Sequence, residues 1–463
     1  MTFPYSDEKG ESPAIAQYPE PMESAATLYL PDGGAATFER GPPVAVDVSE
    51  KLKFRFVLSF GVFLIILAFA FNSPKEILYG SWTILKSPAN LITDYFQLAN
   101  IGATLLNAGV MTLTGALTVQ MNRAKITGPI LAALFTVAGF SFFGKNLYNS
   151  IPIILGVVIY SKISRQPFER YLLQAMFGTA LGPLVSEVTF NLDLPIPLAV
   201  SLGMAAGILV GILLPPLSVH LMKIHRGFNL YNTGFTAGLI GTFFMAVFNT
   251  FGIEVETVSI LSSGNNRSFS IILAVLFAVM FLFGLYLNRW RFSGFDRLLA
   301  QPGKFGTDFI EVSGLGLTLI NMAILGFLVV AYVLGMGGEL NGPVIGGIFT
   351  VVGFGAFGKH IKNVVPIVTG VFLVNLLNVY DPASTIALMG ALFGTTLAPI
   401  AGYYGAACGV VAGILHMALV MNVSYLHGGM NLYNNGFSGG LVAALLVPVL
   451  DMIIQTKNSR KRK

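Results

Sequence analysis

Apolar residues are concentrated along the chain in fourteen runs, separated by short connections that often contain Gly or Pro. Crossing the hydrocarbon core of a bilayer, about 30 Å thick, takes about 20 apolar residues in helical form. Most runs approach this length, but the third and fourth in each half of the chain are too short. The pattern therefore predicts an all-α polytopic membrane protein with about 14 transmembrane or half-membrane segments. The runs cover residues 54–72, 101–121, 128–143, 150–161, 171–190, 197–220, 229–250, 268–288, 314–335, 342–357, 364–379, 384–400, 401–421 and 430–454.

The second half of the chain repeats the first. A shift of 214 positions superposes Asn107 on Asn321, and a shift of 202 superposes the stretch beginning at Asn229 on the one beginning at Asn431. These matches define two repeats of about seven segments, residues 51–262 and 263–456, between tails of residues 1–50 and 457–463. Other matched blocks are Gly128-Pro129 with Gly342-Pro343, Phe143-Gly144-Lys145 with Phe357-Gly358-Lys359, and Phe177-Gly178-Thr179 with Phe393-Gly394-Thr395.

Composition supports insertion into a membrane. The chain is 54% hydrophobic and 11% charged, whereas soluble proteins are about a quarter charged. Nine of the 22 acidic residues fall in the first 50 positions, which lack apolar periodicity and are expected to form a disordered cytoplasmic tail. We expect no cleaved signal peptide, so the first apolar run remains as an anchor. Cys408 is the single cysteine, which excludes an intrachain disulfide and a cysteine-based metal cluster.

The loop charges predict that the two repeats have opposite orientations in the membrane. Cytoplasmic loops carry an excess of Lys and Arg. Arg123 and Lys125 mark such a loop in the first repeat, whereas the equivalent loop of the second contains Glu339. An odd number of crossings per repeat gives this inversion and leaves both termini in the cytoplasm, with 23 of the 27 Lys and Arg on that side. The sequence therefore predicts two inverted repeats in a multi-pass protein of the cytoplasmic membrane.

Inverted repeats place a binding site near the middle of the membrane, where interrupted helices expose backbone ends. Gly128 and Gly342, each followed by Pro, favour the start of such half-helices, since Pro suits a first helical turn. The glycine-rich stretches before Lys145 and Lys359 suit termination inside the protein. Two ordinary short helices are the alternative. Each lysine would then snorkel to the interface, which is the simpler interpretation, or meet an anion.

Asparagines recur in both repeats at positions suited to line a site. Asn229 and Asn232 are three residues apart, hence on one face if the segment is helical. Their amides can bind a neutral polar solute or, through oxygen, a cation. Buried Asn also joins helices or caps broken ends, and for any single Asn that interpretation is the simpler one. For the duplicated set we predict a substrate site made of Asn107, Asn321, Asn229, Tyr231, Asn232, Asn431, Tyr433, Asn434, Gly128, Gly342, Thr179 and Thr395.

A second group of residues is a candidate for coupling or gating. Intramembrane carboxylates can relay protons or cations, which suits Glu187, although it has no counterpart in the second repeat. Asp94 and Asp308 each follow a Thr and more simply cap helices. His225 and His427 are candidate pH sensors but are expected at the interface. The complete set is Glu187, Asp94, Asp308, Lys145, Lys359, His225 and His427.

Glycines spaced four residues apart predict seams along which helices pack closely. We expect these glycines to serve packing rather than ligand binding. They are Gly203, Gly207 and Gly211, with Gly405, Gly409 and Gly413 in the second repeat.

No enzyme motif is present in the sequence. The chain lacks a phosphate-binding loop with Lys and Ser or Thr, and it lacks a His-Glu-x-x-His pattern. We therefore expect no catalysis, no cofactor and no metal site. The pI of 9.1 reflects loops that orient the protein, so no nucleic-acid partner is expected. The predicted partners are the lipid bilayer, a small polar or ionic solute, a coupling H⁺ or Na⁺, and a second copy in a homo-oligomer.

The Gly-Pro, Phe-Gly-Lys and Asn-Leu-Tyr-Asn-x-Gly-Phe blocks are similar to those of a family of bacterial and archaeal membrane proteins known only as a domain of unknown function. This resemblance covers residues 54–454 and implies no activity. In architecture the chain also resembles seven-plus-seven inverted-repeat transporters of nucleobases and anions, whose third and tenth segments are short half-helices facing the substrate. A resemblance to urea channels is restricted to the Asn-x-Gly segments. Both architectural resemblances are fold-level analogies.

These features predict a secondary transporter or facilitator of a small polar or ionic solute, working by alternating access around a central site between the repeats. A passive channel for a small neutral solute such as urea or ammonia is the alternative, distinguished by a flux that neither saturates nor depends on an ion gradient. A membrane scaffold or an embedded enzyme is a third class. Unchanged flux after substitution of Asn232 and Asn434 in folded protein would count against both transport hypotheses.

Reporter fusions after Arg123 and after Glu339 test the inverted orientation. Because the two loops are equivalent in the repeat, inversion puts one reporter in the cytoplasm and the other outside. Alkaline phosphatase, active outside, and green fluorescent protein, fluorescent inside, measure the side of each fusion point. The same side for both positions would contradict the inversion.

Overall fold

The computed structural model describes residues 27–29, 35–37, 48–255, 258–377 and 380–461, and helices form nearly all of its regular structure. The helices before residue 256 are α1 (Glu50–Phe71), α2 (Pro74–Lys86), α3 (Tyr95–Leu98), α4 (Ile101–Met121), α5 (Gly128–Phe140), α6 (Leu147–Ile163), α7 (Leu172–Gly178), α8 (Gly182–Phe190), α9 (Ile196–His225) and α10 (Asn232–Thr250). Those that follow are α11 (Asn266–Leu287), α12 (Phe295–Leu299), α13 (Phe309–Gly335), α14 (Gly342–Phe354), α15 (Ile361–Asn375), α16 (Thr385–Gly394), α17 (Ala398–Tyr404), α18 (Ala406–Val423) and α19 (Asn434–Lys461). Short 3₁₀ turns span Phe168–Tyr171, Thr179–Leu181, Thr395–Leu397 and Ser424–His427.

The chain divides into two compact units, one of residues 44–449 and one made of residues 1–43 and 450–463. In the second unit, the described residues include two antiparallel strands, β1 (Thr27–Tyr29) and β2 (Ala35–Thr37). Thr27 and Tyr29 of β1 are residue types that favour strands, within a segment predicted to be disordered. The rest of that predicted tail up to residue 47 lies outside the described residues, as do the charges of Glu256, Arg462 and Lys463.

Nine helical segments of the described residues are long and apolar enough to cross a membrane. This distribution confirms the predicted polytopic all-α class with short third and fourth segments. The nine are α1, α4, α9, α10, α11, α13, the segment Thr385–Tyr404, α18 and α19, while α5, α6, α14 and α15 are shorter apolar helices.

Two of the predicted runs are broken in the structure. Residues 171–190 form α7 and α8 around the turn Thr179–Leu181, and residues 384–400 form α16 and α17 around the turn Thr395–Leu397. Pro183 and Pro399 lie in the first turn after each break. Because proline lacks the N–H that would bond the carbonyl four residues earlier, each helix is interrupted at a predicted site threonine.

Helices α5 and α14 begin and end in the same way. The side chains of Thr127 and Asn341 cap their first turns, and both first turns contain proline. After each helix the chain reverses at Gly144 or Gly358, with φ angles of 79° and 91°. Residues with a Cβ avoid this left-handed conformation, which explains the glycine in each Phe-Gly-Lys triplet.

The short helices α5 and α14 pack against each other in opposite directions. Gly128 at the start of α5 lies against the Ala356 carbonyl beyond the end of α14, and Gly342 lies against the Phe142 carbonyl. The 214-residue shift exchanges these two contacts. The pair is therefore related by an approximate two-fold axis.

The other helix pairs also repeat. α1 packs on α4 as α11 packs on α13, and α6 packs on α9 as α15 packs on α18. Gly211 of α9 faces Gly156 of α6, and Gly413 of α18 faces Gly370 of α15. At these two positions the prediction that spaced glycines form packing seams is confirmed.

Replacement of Gly139 by Ala tests the contact between α5 and α14. A Cβ at this position would lie 2.6 Å from the Gly346 carbonyl oxygen, so the helices must separate. We expect a loss of about 1–3 kcal/mol in the free energy of unfolding, measured as a lower melting temperature of purified protein. Gly335→Ala is the matched control, because a Cβ there meets nothing within 4 Å. Equal melting temperatures for the two variants would contradict the contact.

Candidate functional site

Two lysines are buried at the ends of the short helices. Lys145 follows α5 and Lys359 follows α14, and both side chains are 0% exposed. The expectation that they snorkel to the interface is therefore wrong. The reason is local. The backbone reverses direction at the glycine before each lysine, and this places the lysine inside the protein.

Lys359 is bound by oxygen atoms from both repeats. Its Nζ donates to the Tyr231 hydroxyl at 2.5 Å and to Oγ1 of Thr395 at 2.7 Å. The same ammonium lies 4.4 Å from the centre of the Tyr231 ring and 5.0 Å from that of Phe354, at cation–π distance. Since Tyr231 belongs to the first repeat, Lys359 joins the two repeats.

Lys145 occupies the equivalent position with fewer partners. In the described part of the chain, its Nζ donates to the Met176 carbonyl alone, at 3.5 Å. The ammonium lies 5.4 Å from the centre of the Phe140 ring. A hydrogen bond of this length is weak, because the usual N–H···O distance is about 2.9 Å.

The equivalents of the two Lys359 ligands do not bind Lys145. Thr179 and Thr395 donate their hydroxyls to equivalent carbonyls, those of Met176 and Leu392, but only Thr395 also accepts from a lysine among the described residues. Tyr433, which corresponds to Tyr231, has a buried hydroxyl that lies beside the Thr136 side chain and makes no hydrogen bond of normal geometry among the described residues. The two halves of the site therefore share their composition but differ in their hydrogen bonds.

Six aromatic rings lie between the two lysines. Tyr231 and Tyr433 are in contact, with ring centres 5.0 Å apart and ring planes tilted by 45°. Tyr231 contacts Phe354 at 4.7 Å, and Tyr433 makes the equivalent contact with Phe140 at 4.5 Å. All six side chains are at most 7% exposed, so the rings close the centre of the protein. This aromatic cluster consists of Phe140, Phe177, Tyr231, Phe354, Phe393 and Tyr433.

Each Asn-Leu-Tyr-Asn stretch crosses to the broken helix of the other repeat. The Leu230 N–H donates to the Thr396 carbonyl and the Leu432 N–H to the Ala180 carbonyl, both at 3.1 Å. Asn229 also crosses, because its Nδ2 donates to a backbone carbonyl at the start of α19, at 3.0 Å. The two repeats are therefore interlocked at the tyrosines of the aromatic cluster.

Asn229 and Asn431 precede helices α10 and α19, so neither shares a helix face with the second Asn of its stretch. Oδ1 of Asn229 accepts from the Tyr231 N–H at 3.2 Å, and Oδ1 of Asn431 accepts from the Tyr433 N–H at 2.9 Å. An Asn that bonds the backbone two residues later forms a turn that competes with helix. The first Asn of each stretch therefore lies in a turn before the helix, so the two Asn residues do not share a helix face.

Asn107 and Asn321 close the C-terminal ends of α5 and α14. Nδ2 of Asn107 donates to the carbonyls of Ser141 and Lys145, each at 2.8 Å. Nδ2 of Asn321 makes the same two bonds in the second repeat, each at 2.7 Å. These carbonyls have no partner within their helix. Both amides therefore cap the C-terminal ends of these helices.

The paired histidines are buried instead of interfacial. His225 is 0% exposed and His427 is 1% exposed. Each ring packs edge-on against a phenylalanine of the next helix, Phe235 or Phe437. Asn232 accepts at Oδ1 opposite the His225 Nε2 at 2.9 Å. The helix that follows each histidine packs over the histidine ring. The sequence of the loop alone does not show this contact.

Carboxylates occupy the opposite ends of the short helices. Asp308 accepts from the Gly128 N–H at the start of α5, at 3.0 Å. Asp94 accepts from the Ser262 N–H at 3.0 Å and from the Gly342 N–H at the start of α14. Both carboxylates also cap the helix that follows them, as predicted. Each Asp also accepts a hydrogen bond from the start of a short helix in the other repeat, and this second contact was not predicted.

Within the described part of the chain, the two buried lysine amines have no carboxylate counterpart. Among the described residues, no carboxylate lies within salt-bridge distance of Lys145 or Lys359. Burying an ion costs several kcal/mol. A cation–π contact returns up to about 2 kcal/mol, and a helix C-terminus up to about 2 kcal/mol. At Lys145 a single long hydrogen bond is the remaining contribution among the described residues.

The remaining predicted residues lie outside this centre or at its edge. Glu187 is buried in α8 and accepts from Asn191 at 2.7 Å. Asn434 is the first residue of α19, close in sequence to Tyr433. The described residues contain no group of three His, Cys, Asp or Glu side chains suited to a metal ion.

The sequence did not indicate the phenylalanines of the aromatic cluster. A signal for them existed, because Phe140 and Phe177 have counterparts in Phe354 and Phe393 at the offsets of the repeat. Aromatic residues are so frequent in this chain that repetition alone did not separate site residues from core. Of the predicted residues, the structure brings together Tyr231, Tyr433, Thr179, Thr395, Lys145 and Lys359.

Comparison with known proteins identifies a family but no activity. A family model described as "Protein of unknown function (DUF1576)" matches residues 73–250 and 287–452. The two matched segments start 214 residues apart and end 202 residues apart, which are the offsets of the internal repeat. No curated protein and no solved structure matches the chain.

Replacement of Asn321 by Ala tests the closing of α14. The change removes both donors from two buried carbonyls, and each unpaired buried group costs about 1–3 kcal/mol. We expect a lower melting temperature of the purified protein. Asn422→Ala is the matched control, since its amide bonds a carbonyl of its own helix at an exposed position. A loss no larger than in the control would contradict the capping task.

Proposed function

Because the chain belongs to the DUF1576 family of proteins of unknown function, we propose its function from its own site: it is a secondary transporter or facilitator of a small polar or ionic solute. It works by alternating access around the two lysines and the aromatic cluster, between the repeats. The observation that carries this proposal is the bond from Lys359 to Tyr231, in which the polar centre of one repeat is completed by the other.

In this proposal the two repeats, residues 51–262 and 263–456, are inverted in the cytoplasmic membrane with both termini in the cytoplasm. The antiparallel contact of α5 and α14 supports the inversion, because equivalent helices that meet in opposite directions are what inverted repeats produce. The loop charges support the orientation.

The different bonding of the two lysines supports a protein with two alternating arrangements. Lys359 has two short hydrogen bonds, whereas Lys145 has a single long one. Because the repeats have equivalent residues at these positions, the reverse arrangement, with Lys145 bonded to Tyr433 and Thr179, uses the same chemistry. A pair of equivalent arrangements is the structural requirement for alternating access.

The aromatic cluster supports a carrier over an open channel. Its six rings are buried and in mutual contact, so a solute passes only if they separate. Asp94, Asp308, Glu187 and the buried histidines are candidates for coupling to H⁺ or Na⁺ in this mechanism. Transport, rather than catalysis, is the activity that we propose.

Single cysteines at Thr179 and Thr395 test alternating access in a chain with Cys408→Ala. Both threonines lie at helix breaks and are at most 1% exposed. We expect a membrane-impermeant maleimide to label one cysteine from the cytoplasmic side and the other from outside, because each arrangement opens one half of the site. Inside-out and right-side-out vesicles measure the side of labelling.

The exposed Ser459→Cys is the control for vesicle orientation, since it lies in the C-terminal tail. Labelling of both site cysteines from both sides would indicate a channel. Labelling of neither would indicate a scaffold, and each of these results would contradict the proposal.

A further inference from the structure

The strongest unexplained chemistry of the described residues is a group of buried hydrogen-bond donors at the centre that lack a full set of acceptors. The ammonium of Lys145 has three N–H groups and one weak acceptor. Nδ2 of Asn431 is buried without an acceptor among the described residues, and the Tyr433 hydroxyl makes no hydrogen bond of normal geometry to the Thr136 side chain beside it. No carboxylate in that part of the chain approaches either buried lysine.

From this arrangement we infer that the solute is a small anion, held by Lys145 in the arrangement seen here and by Lys359 in the reverse one. This inference rests on the proposed transport function and names its substrate class. An anion supplies both the acceptor atoms and the negative charge that the site lacks. A cation or a purely hydrogen-bond-donating solute would add to the imbalance.

The surroundings of Lys145 favour an anion over a structural role for the charge. The aromatic cluster excludes water, which strengthens the attraction between an ammonium and an anion. A lysine kept only for packing needs no charge, because a Met side chain fills a similar volume. The pairing of Lys145 with Lys359 across the repeat gives an anion an equivalent position on either side of the aromatic rings.

Carboxylates exclude the anion from the other ends of α5 and α14. Helix N-termini attract anions in many proteins, but here Asp308 already accepts from the Gly128 N–H and Asp94 from the Gly342 N–H. A second negative charge at these ends would be repelled. The anion position is therefore at the lysine ends of the short helices, opposite to the site that helix dipoles alone would predict.

The bonds of Lys359 give the mechanism by which the anion leaves. When the Tyr231 hydroxyl and Thr395 bond the ammonium, they occupy the N–H groups that an anion would use. Exchange of these bonds between the halves would release the anion on one side while the equivalent lysine becomes ready on the other. Tyr433 and Thr179 are the residues that would close the Lys145 half in this exchange.

Thermal unfolding of the purified full-length protein with a panel of salts tests the inference. The probes are sodium nitrate, sulfate, phosphate and acetate, each at constant ionic strength in sodium gluconate, with urea and methylammonium gluconate as neutral and cationic probes. We expect at least one of the four anions to raise the melting temperature of the wild-type protein by several degrees at saturation, because a ligand that binds the folded state stabilises it.

Lys145→Met and Lys359→Met are the deciding variants, with the exposed Lys162→Met as their matched control. We expect Lys145→Met to unfold at or above the wild-type temperature without anion, and to lose at least ten-fold in apparent anion affinity. Lys359→Met removes two short hydrogen bonds and is expected to unfold at a lower temperature. The control keeps the wild-type affinity. A structural role for Lys145 would instead lower the melting temperature and leave the anion response unchanged.

Tyr433→Phe provides a second readout that does not depend on how the lysine variants fold. The Tyr433 hydroxyl makes no hydrogen bond of normal geometry to Thr136 beside it, so its removal should change the melting temperature little while weakening the anion response. An anion response that persists in Lys145→Met, Lys359→Met and Tyr433→Phe overturns the inference, and so does a wild-type protein that responds to none of the four anions.

A response to urea or methylammonium alone also overturns the anion assignment but leaves the proposed transport function standing. Failure of that function would be recognised separately, because site cysteines that label from neither side, or from both, contradict alternating access whatever ligand binds.

Discussion

A charged group that is buried away from water must find hydrogen bonds or opposite charge within the protein. Each of the two short helices ends at a buried lysine. One of these lysines has few partners, and the other is bonded by a residue of the opposite repeat. Lys359 is bonded through Tyr231, a residue 128 positions away. Lys145 has a single carbonyl at 3.5 Å. Since burying an ammonium costs several kcal/mol, the placement of these two side chains governs the interpretation of the site.

The repeat is what allows one chain to build such a centre. Antiparallel packing of α5 and α14 sets the lysine end of each helix beside the start of the other. The Asn-Leu-Tyr-Asn stretches then exchange backbone hydrogen bonds with the opposite broken helix, which brings both tyrosines between the lysines. Gly234 and Gly436 lie in contact where α10 and α19 meet, and no larger residue would allow that approach. The duplicated sequence therefore builds one site that both repeats share, instead of a separate site in each repeat.

Much of this architecture could be predicted from the sequence. The apolar runs gave the helices, the offsets gave the repeat, and the Gly-Pro and Phe-Gly-Lys blocks gave the ends of the short helices. These features depend on local pattern, such as the need for glycine where φ is positive at residues 144 and 358. The capping by Asp94 and Asp308 was also predictable, because a helix start needs an acceptor for its free N–H groups.

The errors arose where distant segments meet. Lys145, Lys359 and the paired histidines were expected near the surface, because a single sequence does not show which element covers a polar residue. The two asparagines of each stretch would share a helix face only if the segment were helical, and a turn at Asn229 and Asn431 starts each helix later. The helix breaks at Thr179 and Thr395 were missed because the long apolar runs concealed the effect of Pro183 and Pro399. Tertiary contacts and local turns decide these features, and neither appears in hydrophobic periodicity.

A structure determined by electron cryomicroscopy in lipid nanodiscs, with the stabilising salt present, would test the central claim most directly. The account predicts that the two repeats superpose about an axis in the membrane plane. It also predicts density for an anion within hydrogen-bond distance of one lysine Nζ, with the other lysine bonded to its tyrosine. A two-fold axis along the membrane normal, or a carboxylate of the chain paired with either ammonium, would contradict it.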